Sequence, residues 1–313
     1  MSSKNIQIST STSSKSTESA SPLRSTESAN SSVSSPSDIS PQTSFSAAGF
    51  KSESELTAFV LTTLEERRRP AASLEPDFYF VDVPRDWGKA VFFAVEQCWE
   101  LRGLRKTWNA VAQTLRFRMP TAAHNCAQPW LNACVREWEL TGALTPNEIA
   151  SLNVVAGTTQ DLPQSPFSSS QKDPDVAISP DGYYLRPANA FEVGWSETAN
   201  ELDSDAELLL RGHRTVNVVV TIKWRIHIRS RTVRGDLIAW RLGQDEIPFK
   251  AQHEVIFPAP NPPRPQHLLL SLADIFSSAV PPGRNPLDNL RLDISLLRRK
   301  ASSALNEMNL SPA

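Results

Sequence analysis

The run Val216-Asn217-Val218-Val219-Val220-Thr221-Ile222 constrains this fold more than any other stretch. β-Branched side chains lose rotamer freedom in a helix and pack well on a pleated surface. A run this apolar predicts a buried strand. The segment before it, Ser196 to Arg211, reads as a helix, with Ser196 or Thr198 as N-cap and Gly212 as terminator. Two short strands precede that helix, one around Asp173 to Ile178 and one over Phe191 to Trp195. The turn residues Pro180, Asp181 and Gly182 lie between them. The order is strand, strand, helix, strand.

Each short strand carries one carboxylate, Asp175 and Glu192. Side chains alternate along a strand. Val176, Ile178, Phe191 and Val193 can therefore face one core, while Asp175 and Glu192 share the opposite face. Two carboxylates converging on one open face suit a hard divalent cation such as Mg²⁺. The alternative is a hairpin with two solvated acids.

In these residues the chain resembles the PD-(D/E)XK nuclease-like superfamily, in particular its fungal nuclease-like members and its Uma2-type endonuclease branch. Pro174-Asp175 is similar to the "PD", Glu192 to the "(D/E)", and Glu192-Val193-Gly194-Trp195-Ser196 to a Glu-Val-x-x-Ser stretch of the second branch. Trp108-Asn109, with Val111, resembles a Trp-Asn helix motif of the fungal branch. The likeness spans roughly residues 100 to 300, on short motifs. It implies a metal-dependent phosphodiester hydrolase acting on DNA. Asp175 and Glu192 would hold Mg²⁺ or Mn²⁺, and a Lys would steady charge on the phosphate. The family Lys falls two positions after the Glu, where this chain has Gly194, so Lys223 on the next strand is the candidate replacement. An acid three residues before the Trp-Asn pair is replaced by Arg105.

The 313 residues are 40% hydrophobic, enough for one large domain or two small ones. The net charge of −2 argues against bulk nucleic-acid binding by charge alone. Cys98, Cys126 and Cys134 are too few for a disulfide scaffold and point to a reducing intracellular compartment, nucleus or cytoplasm. His124, Cys126 and Cys134 lack zinc-ligand spacing and read as core residues. No apolar run approaches the roughly 20 residues of a membrane span, and no signal-peptide core follows Met1.

Residues 1–50 include nineteen Ser and read as a disordered tail, too polar to offset about 1–2 kcal/mol of backbone entropy per residue. Residues 51–313 then read as a single nuclease-like domain. Its first part, 51–156, is expected to be mainly helical: 52–69 opened by Ser52 and Glu55, 86–103, 107–118, 125–141, and a short helix from Thr145-Pro146. In the second of these, Val91, Phe92, Val95, Cys98 and Trp99 repeat at helical spacing. Residues 157–173 read as a loop, and 174–313 as a β-rich core closed by a helix from about 295 to 308.

Between Leu208 and Gly235 there is no acidic residue. Lys223, Arg225, His227, Arg229 and Arg231 alternate there with Trp224, Ile226, Ile228 and Ser230, which on a strand puts every basic group on one face. Such a row suits a phosphate backbone, because each neutralised phosphate releases a counterion. Solvated charges guarding an edge strand, or cations paired with acids elsewhere, are the competing readings.

These features predict an α+β or α/β fold, with N-terminal helices followed by a mixed sheet. The expected function is a metal-dependent nuclease or its degenerate descendant. The catalytic set is Asp175, Glu192 and Lys223, and Arg225, His227, Arg229 and Arg231 contact DNA. The alternative is a non-catalytic nucleic-acid-binding or protein-interaction module on the same fold.

Overall fold

The computed structural model describes residues 43–67, 77–195 and 197–313. The elements run β1 (Thr43–Ser46), α1 (Glu53–Arg67), β2 (Asp77–Val81), α2 (Arg85–Gln97), β3 (Arg105–Asn109), β4 (Thr114–Arg118), α3 (Ala122–Asn125), α4 (Ala127–Leu140) and α5 (Pro146–Ala150). They continue with β5 (Leu152–Val155), β6 (Gln160–Leu162), β7 (Ser170–Lys172), β8 (Ala177–Pro180), β9 (Asn189–Gly194), α6 (Ala199–Gly212), β10 (Val218–His227), β11 (Thr232–Leu242) and β12 (Pro248–Phe257). The last are β13 (His267–Ser271), α7 (Leu272–Phe276), β14 (Asn289–Asp293), α8 (Ile294–Glu307) and β15 (Ser311–Pro312). The protein is α+β.

Two sheets organise the molecule. The N-terminal sheet has the order β1-β2-β4-β3-β7-β6. Phe78, Phe80, Trp108, Leu115 and Phe117 form a core beneath it with Leu56, Val60 and Leu64 of α1 and Val91, Phe92 and Val95 of α2. Each such fully buried side chain contributes about 1.5–3 kcal/mol. The C-terminal sheet has the order β12-β11-β10-β9, with β15 joined to β11. β9 and β10 are parallel, with Glu192 opposite Thr221 and Gly194 opposite Lys223, and α6 makes the crossover. One face packs Phe191, Val193, Val220, Ile222 and Trp224 into a core with α4 and α8. The other lays Ala190, Val219 and Trp240 against Ala206 and Leu209 of α6.

Local chemistry sets the helix starts. Thr145 with Glu148, Thr198 with Glu201 and Ser271 with Asp274 each form a reciprocal capping box, and an N-cap is worth about 1 kcal/mol. Ser52 Oγ accepts from Glu55 N, while Glu55 Oε2 accepts from Lys51 N, one residue earlier than in a standard box.

Several expectations are corrected. Residues 107–118 are not a helix but the β3–β4 hairpin. Trp108, Val111 and Leu115 mimic a helical stripe. Asn109 Oδ1, however, accepts from both Val111 N and Ala112 N, and Gln113 takes φ 52°, which turns the chain. The 157–173 stretch contains β6 and β7, paired onto β3. The second helix stops at Gln97, so Trp99 lies exposed, with the Arg102 guanidinium 3.6 Å above its ring. Within the expected tail, residues 43–50 are structured. β1 pairs in parallel with β2, and Phe45 stacks on Phe80 at 5.3 Å. Residues 1–42, the end of the 52–69 helix beyond Arg67, and Ser196 lie outside the described residues. No described helix is long and apolar enough to cross a membrane.

Candidate functional site

Strand alternation gives the N-terminal sheet a second face, turned away from α1 and α2. Register places Asp77 opposite Arg118 and Arg118 opposite Arg105 in one row. Tyr79, Arg116, Thr107 and Lys172 form the next row. This face meets β9, the connection after it, α6 and the segment ahead of β8, which supply Glu192, Glu197, Asp205 and Asp175. The result is a buried ionic joint between the two sheets.

Lys172 Nζ lies 3.0 Å from Glu192 Oε2 and 3.2 Å from Asp205 Oδ2, and it donates to Thr107 Oγ1 at 3.4 Å. Arg116 bridges Glu197, at 3.1 Å, and Asp205. Arg118 reaches Asp77 at 3.0 Å, Glu197, Asp175 at 3.5 Å and the Val193 carbonyl at 3.3 Å. His124 Nε2 is 3.2 Å from Asp175 Oδ2, and Arg105 Nε is 3.6 Å from Asp175 Oδ1. Asp175 Oδ2 also accepts from Val193 N at 2.7 Å, which ties the carboxylate to the backbone of β9. Beside this joint, Lys106 and Asp173 form a separate buried pair at 2.5 Å.

The expected carboxylates therefore do come together, but not on an open face. Glu192 has no exposed surface and Asp175 is 5% exposed. Asp175 lies just ahead of β8, whose ladder partner is β5. It is joined to β9 by the single bridge Val176–Phe191 rather than by a hairpin. A cleft of about 10 Å³ reaches Asp175 between Arg105, His124 and Gln128, room for about one water.

The electrostatics follow from the inventory. Asp77, Asp175, Glu192, Glu197 and Asp205 face the permanent cations Arg105, Arg116, Arg118 and Lys172. Burial lowers the His124 pKa and favours the neutral ring. Acids are thus in surplus. Burial raises Asp175, but His124, Arg118 and Lys172 outweigh it and hold the carboxyl well below the usual range. Asp205 is likewise raised by burial and lowered on balance by Arg116 and Lys172. Glu192 takes the strain. Burial pushes it up to about 8, with Lys172 opposing and Asp175 and Asp205 reinforcing. Its Oε1 has no hydrogen-bond partner.

Lys223 does not join the pair. Its ammonium donates to the Trp195 carbonyl at 3.3 Å and to the Glu197 carbonyl, and burial followed by Arg225 lowers its pKa to about 8. A Cβ at Gly194 would stand 2.6 Å from Leu202 Cδ1 and 2.8 Å from Glu197 Oε2, so a side chain where the motif Lys would be requires Leu202 and Glu197 to shift. The lysine that does reach Glu192 is Lys172, three residues before Asp175. Sequence reasoning missed it, as it missed Arg116 and Arg118. The available signal was the alternation Leu115-Arg116-Phe117-Arg118 on a strand.

A hard dication needs carboxylate oxygens at about 2.0–2.6 Å. Here the Asp175 oxygens are already engaged by Arg105, Arg118 and the His124 ring, and Glu192 by Lys172. As arranged, this donor set does not fit Mg²⁺ or Mn²⁺.

The five-residue basic row is also rearranged. β10 ends at His227, and Arg229 and Arg231 belong to the turn before β11. Arg231, at φ 53°, donates twice to the Asn309 carbonyl. Arg225 pairs with Asp236, which also holds His253 at 3.1 Å, and His227 bonds Ser230 Oγ at 2.7 Å. Arg225 and Arg234 are direct cross-strand partners, and both side chains are exposed.

Compared with known proteins, the chain matches no family model and no curated sequence.

Proposed function

We propose that this chain is a non-catalytic binding module on a nuclease-like fold. In this reading Asp175 and Glu192 serve as an ionic joint between two sheets, and the β10–β11 hairpin contacts a nucleic-acid backbone. The observation that carries it is the sealing of both carboxylates by Lys172, Arg118 and His124, with Lys223 committed to backbone carbonyls. A phosphodiesterase has to bring a phosphate, a water and a charge stabiliser to such a pair. The cleft at Asp175 admits none of these beyond one water. Binding is supported by the hairpin. Like charges directly opposite are destabilising, and Arg225, paired with Asp236, faces Arg234 across the ladder. A phosphate would relieve that repulsion.

A second reading keeps catalysis and assigns the lysine role to Lys172, because its ammonium is already 3.0 Å from Glu192. It requires the two sheets to part.

Purified protein incubated with double-stranded DNA and Mg²⁺ or Mn²⁺ separates the readings. The module reading expects no cutting, and weak, sequence-independent binding that falls with salt. Arg225→Ala combined with Arg234→Ala should reduce the slope of log K against log salt by about two units. Asp236→Asn, which frees Arg225, should tighten binding. Cutting by wild type that disappears in Asp175→Asn would establish the nuclease. Absence of binding at low salt would remove nucleic acid as the partner.

A further inference from the structure

The face of the C-terminal sheet that packs α6 also carries an exposed ionic cluster. Lys223, Asp236 and Val255 stand opposite one another there, and Thr221, Ile238 and His253 form the next row. Asp236 uses both of its oxygens. Oδ2 accepts from Arg225, and Oδ1 lies 3.1 Å from His253 Nε2. A carboxylate can only accept, so Nε2 carries the proton of the neutral ring and Nδ1 is the atom that takes a second one.

Exposure divides the roles. The Arg225 and His253 side chains are each 53% exposed, whereas Asp236 is 15% exposed. Solvent protons reach the imidazole and a phosphate can reach the guanidinium, while the acid between them is held against the sheet. Among the described residues Asp236 is the one acid paired with either group.

One carboxylate therefore serves two partners whose charges behave differently. Arg225 is charged at every relevant pH. Burial and then Arg234, its direct cross-strand partner, disfavour that charge. An imidazole changes charge between about pH 5 and 8. While the ring is neutral, the Asp236 charge is directed to Arg225. Once the ring is an imidazolium, Asp236 faces two cations and its hold on Arg225 weakens. The other charged groups on this face are Arg234 of β11, Lys223 of β10 and Lys250 of β12, with Glu201 and Asp203 of α6 acting on the two lysines. Lys223, lowered by burial to about 8, keeps most of its charge below pH 7.

We propose that protonation of His253 draws Asp236 away from Arg225 and releases that guanidinium to a nucleic-acid phosphate. The inference rests on the nucleic-acid reading of the β10–β11 hairpin and adds its regulation: binding strengthens as pH falls, through a shared carboxylate.

The test is fluorescence anisotropy of a short rhodamine-labelled DNA duplex of mixed sequence, at low salt, at about pH 7 and about pH 5.5. The full chain carrying His227→Gln is the parent, because His227 is the other exposed imidazole on these strands. Its binding should tighten about threefold at the lower pH, the modest scale of an exposed ion pair. His253→Gln keeps a neutral donor to Asp236 and should bind equally at both pH values. Asp236→Asn should already bind at the higher pH as tightly as the parent does at the lower, and should gain little more. A parent with the same affinity at both pH values would overturn the proposal. So would an undiminished gain in His253→Gln, which places the proton elsewhere. An undiminished gain in Asp236→Asn would make His253 itself the phosphate ligand and overturn it as well. Those three results leave the nucleic-acid reading standing, whereas absence of binding at both pH values removes that reading and this inference with it.

Discussion

Lys172 Nζ stands 3.0 Å from Glu192 Oε2, and neither side chain has appreciable contact with solvent. The lysine comes from the N-terminal sheet and the glutamate from the C-terminal one. Lys172 also lies 3.2 Å from Asp205, so removing it takes a cation from a buried ionised acid and typically costs about 3–5 kcal/mol. Lys172→Met should therefore lower the urea midpoint sharply. Lys172→Met with Glu192→Leu should recover part of the loss, because it also removes a buried carboxyl that Lys172 served, while Asp205 keeps Arg116. Equal losses in the single and double variants would show that the pair is not energetically linked.

The raised Glu192 pKa gives stability a definite pH dependence. The unfolded carboxyl loses its proton near the ordinary value of about 4.3, while the folded one keeps it up to about 8. Between those values the native state binds the extra proton, so stability falls as pH rises, by at most about 1.4 kcal/mol per pH unit for one proton. Asp175 and Asp205 act in the opposite sense. Their depressed pKa values stabilise the fold above the ordinary carboxyl range, and that stabilisation is lost as pH falls from there through their lower folded values. Urea midpoints at pH 5 and pH 8 should differ more for wild type than for Glu192→Gln. The same difference in both proteins would place the proton elsewhere.

Gly194→Lys restores the motif on paper and should fail in the protein. Its Cβ would enter the space of Leu202 and Glu197. Overpacking of a filled core costs about 1–3 kcal/mol before the buried charge is counted. The variant should melt below wild type and cut no DNA. A stable Gly194→Lys that cleaves DNA would revive the nuclease reading.

Phe45 decides where the folded part begins. It stacks on Phe80 and meets Phe59 edge-on at 5.4 Å. A chain starting at residue 51 loses this contact and β1, whereas one starting at residue 43 keeps both. The shorter chain should be less stable by about 2 kcal/mol, a drop of roughly 4–8 °C in Tm for a protein of this size. Equal melting would show that β1 adds nothing.

The sequence by itself determined the pieces that burial patterns and caps encode. The α6–β10 succession was readable from a β-branched run after a capped, amphipathic segment. So were α4, α5 and α8, and the convergence of Asp175 and Glu192. What it did not determine was which charges meet. On β4, Arg116 and Arg118 alternate with Leu115 and Phe117, the pattern of a strand with one wet face. That face is instead closed by Glu197, Asp205 and Asp175 from distant parts of the chain. Lys172 and Lys223 illustrate the same limit. Lys223 stands opposite Gly194 in the register and still turns to backbone carbonyls, while Lys172 arrives on β7 from the other sheet. Hydrophobic periodicity is local and records only whether a position is polar. Whether a polar face meets water or a complementary face is set by how the two sheets pack, and here that packing placed four cations against five acids.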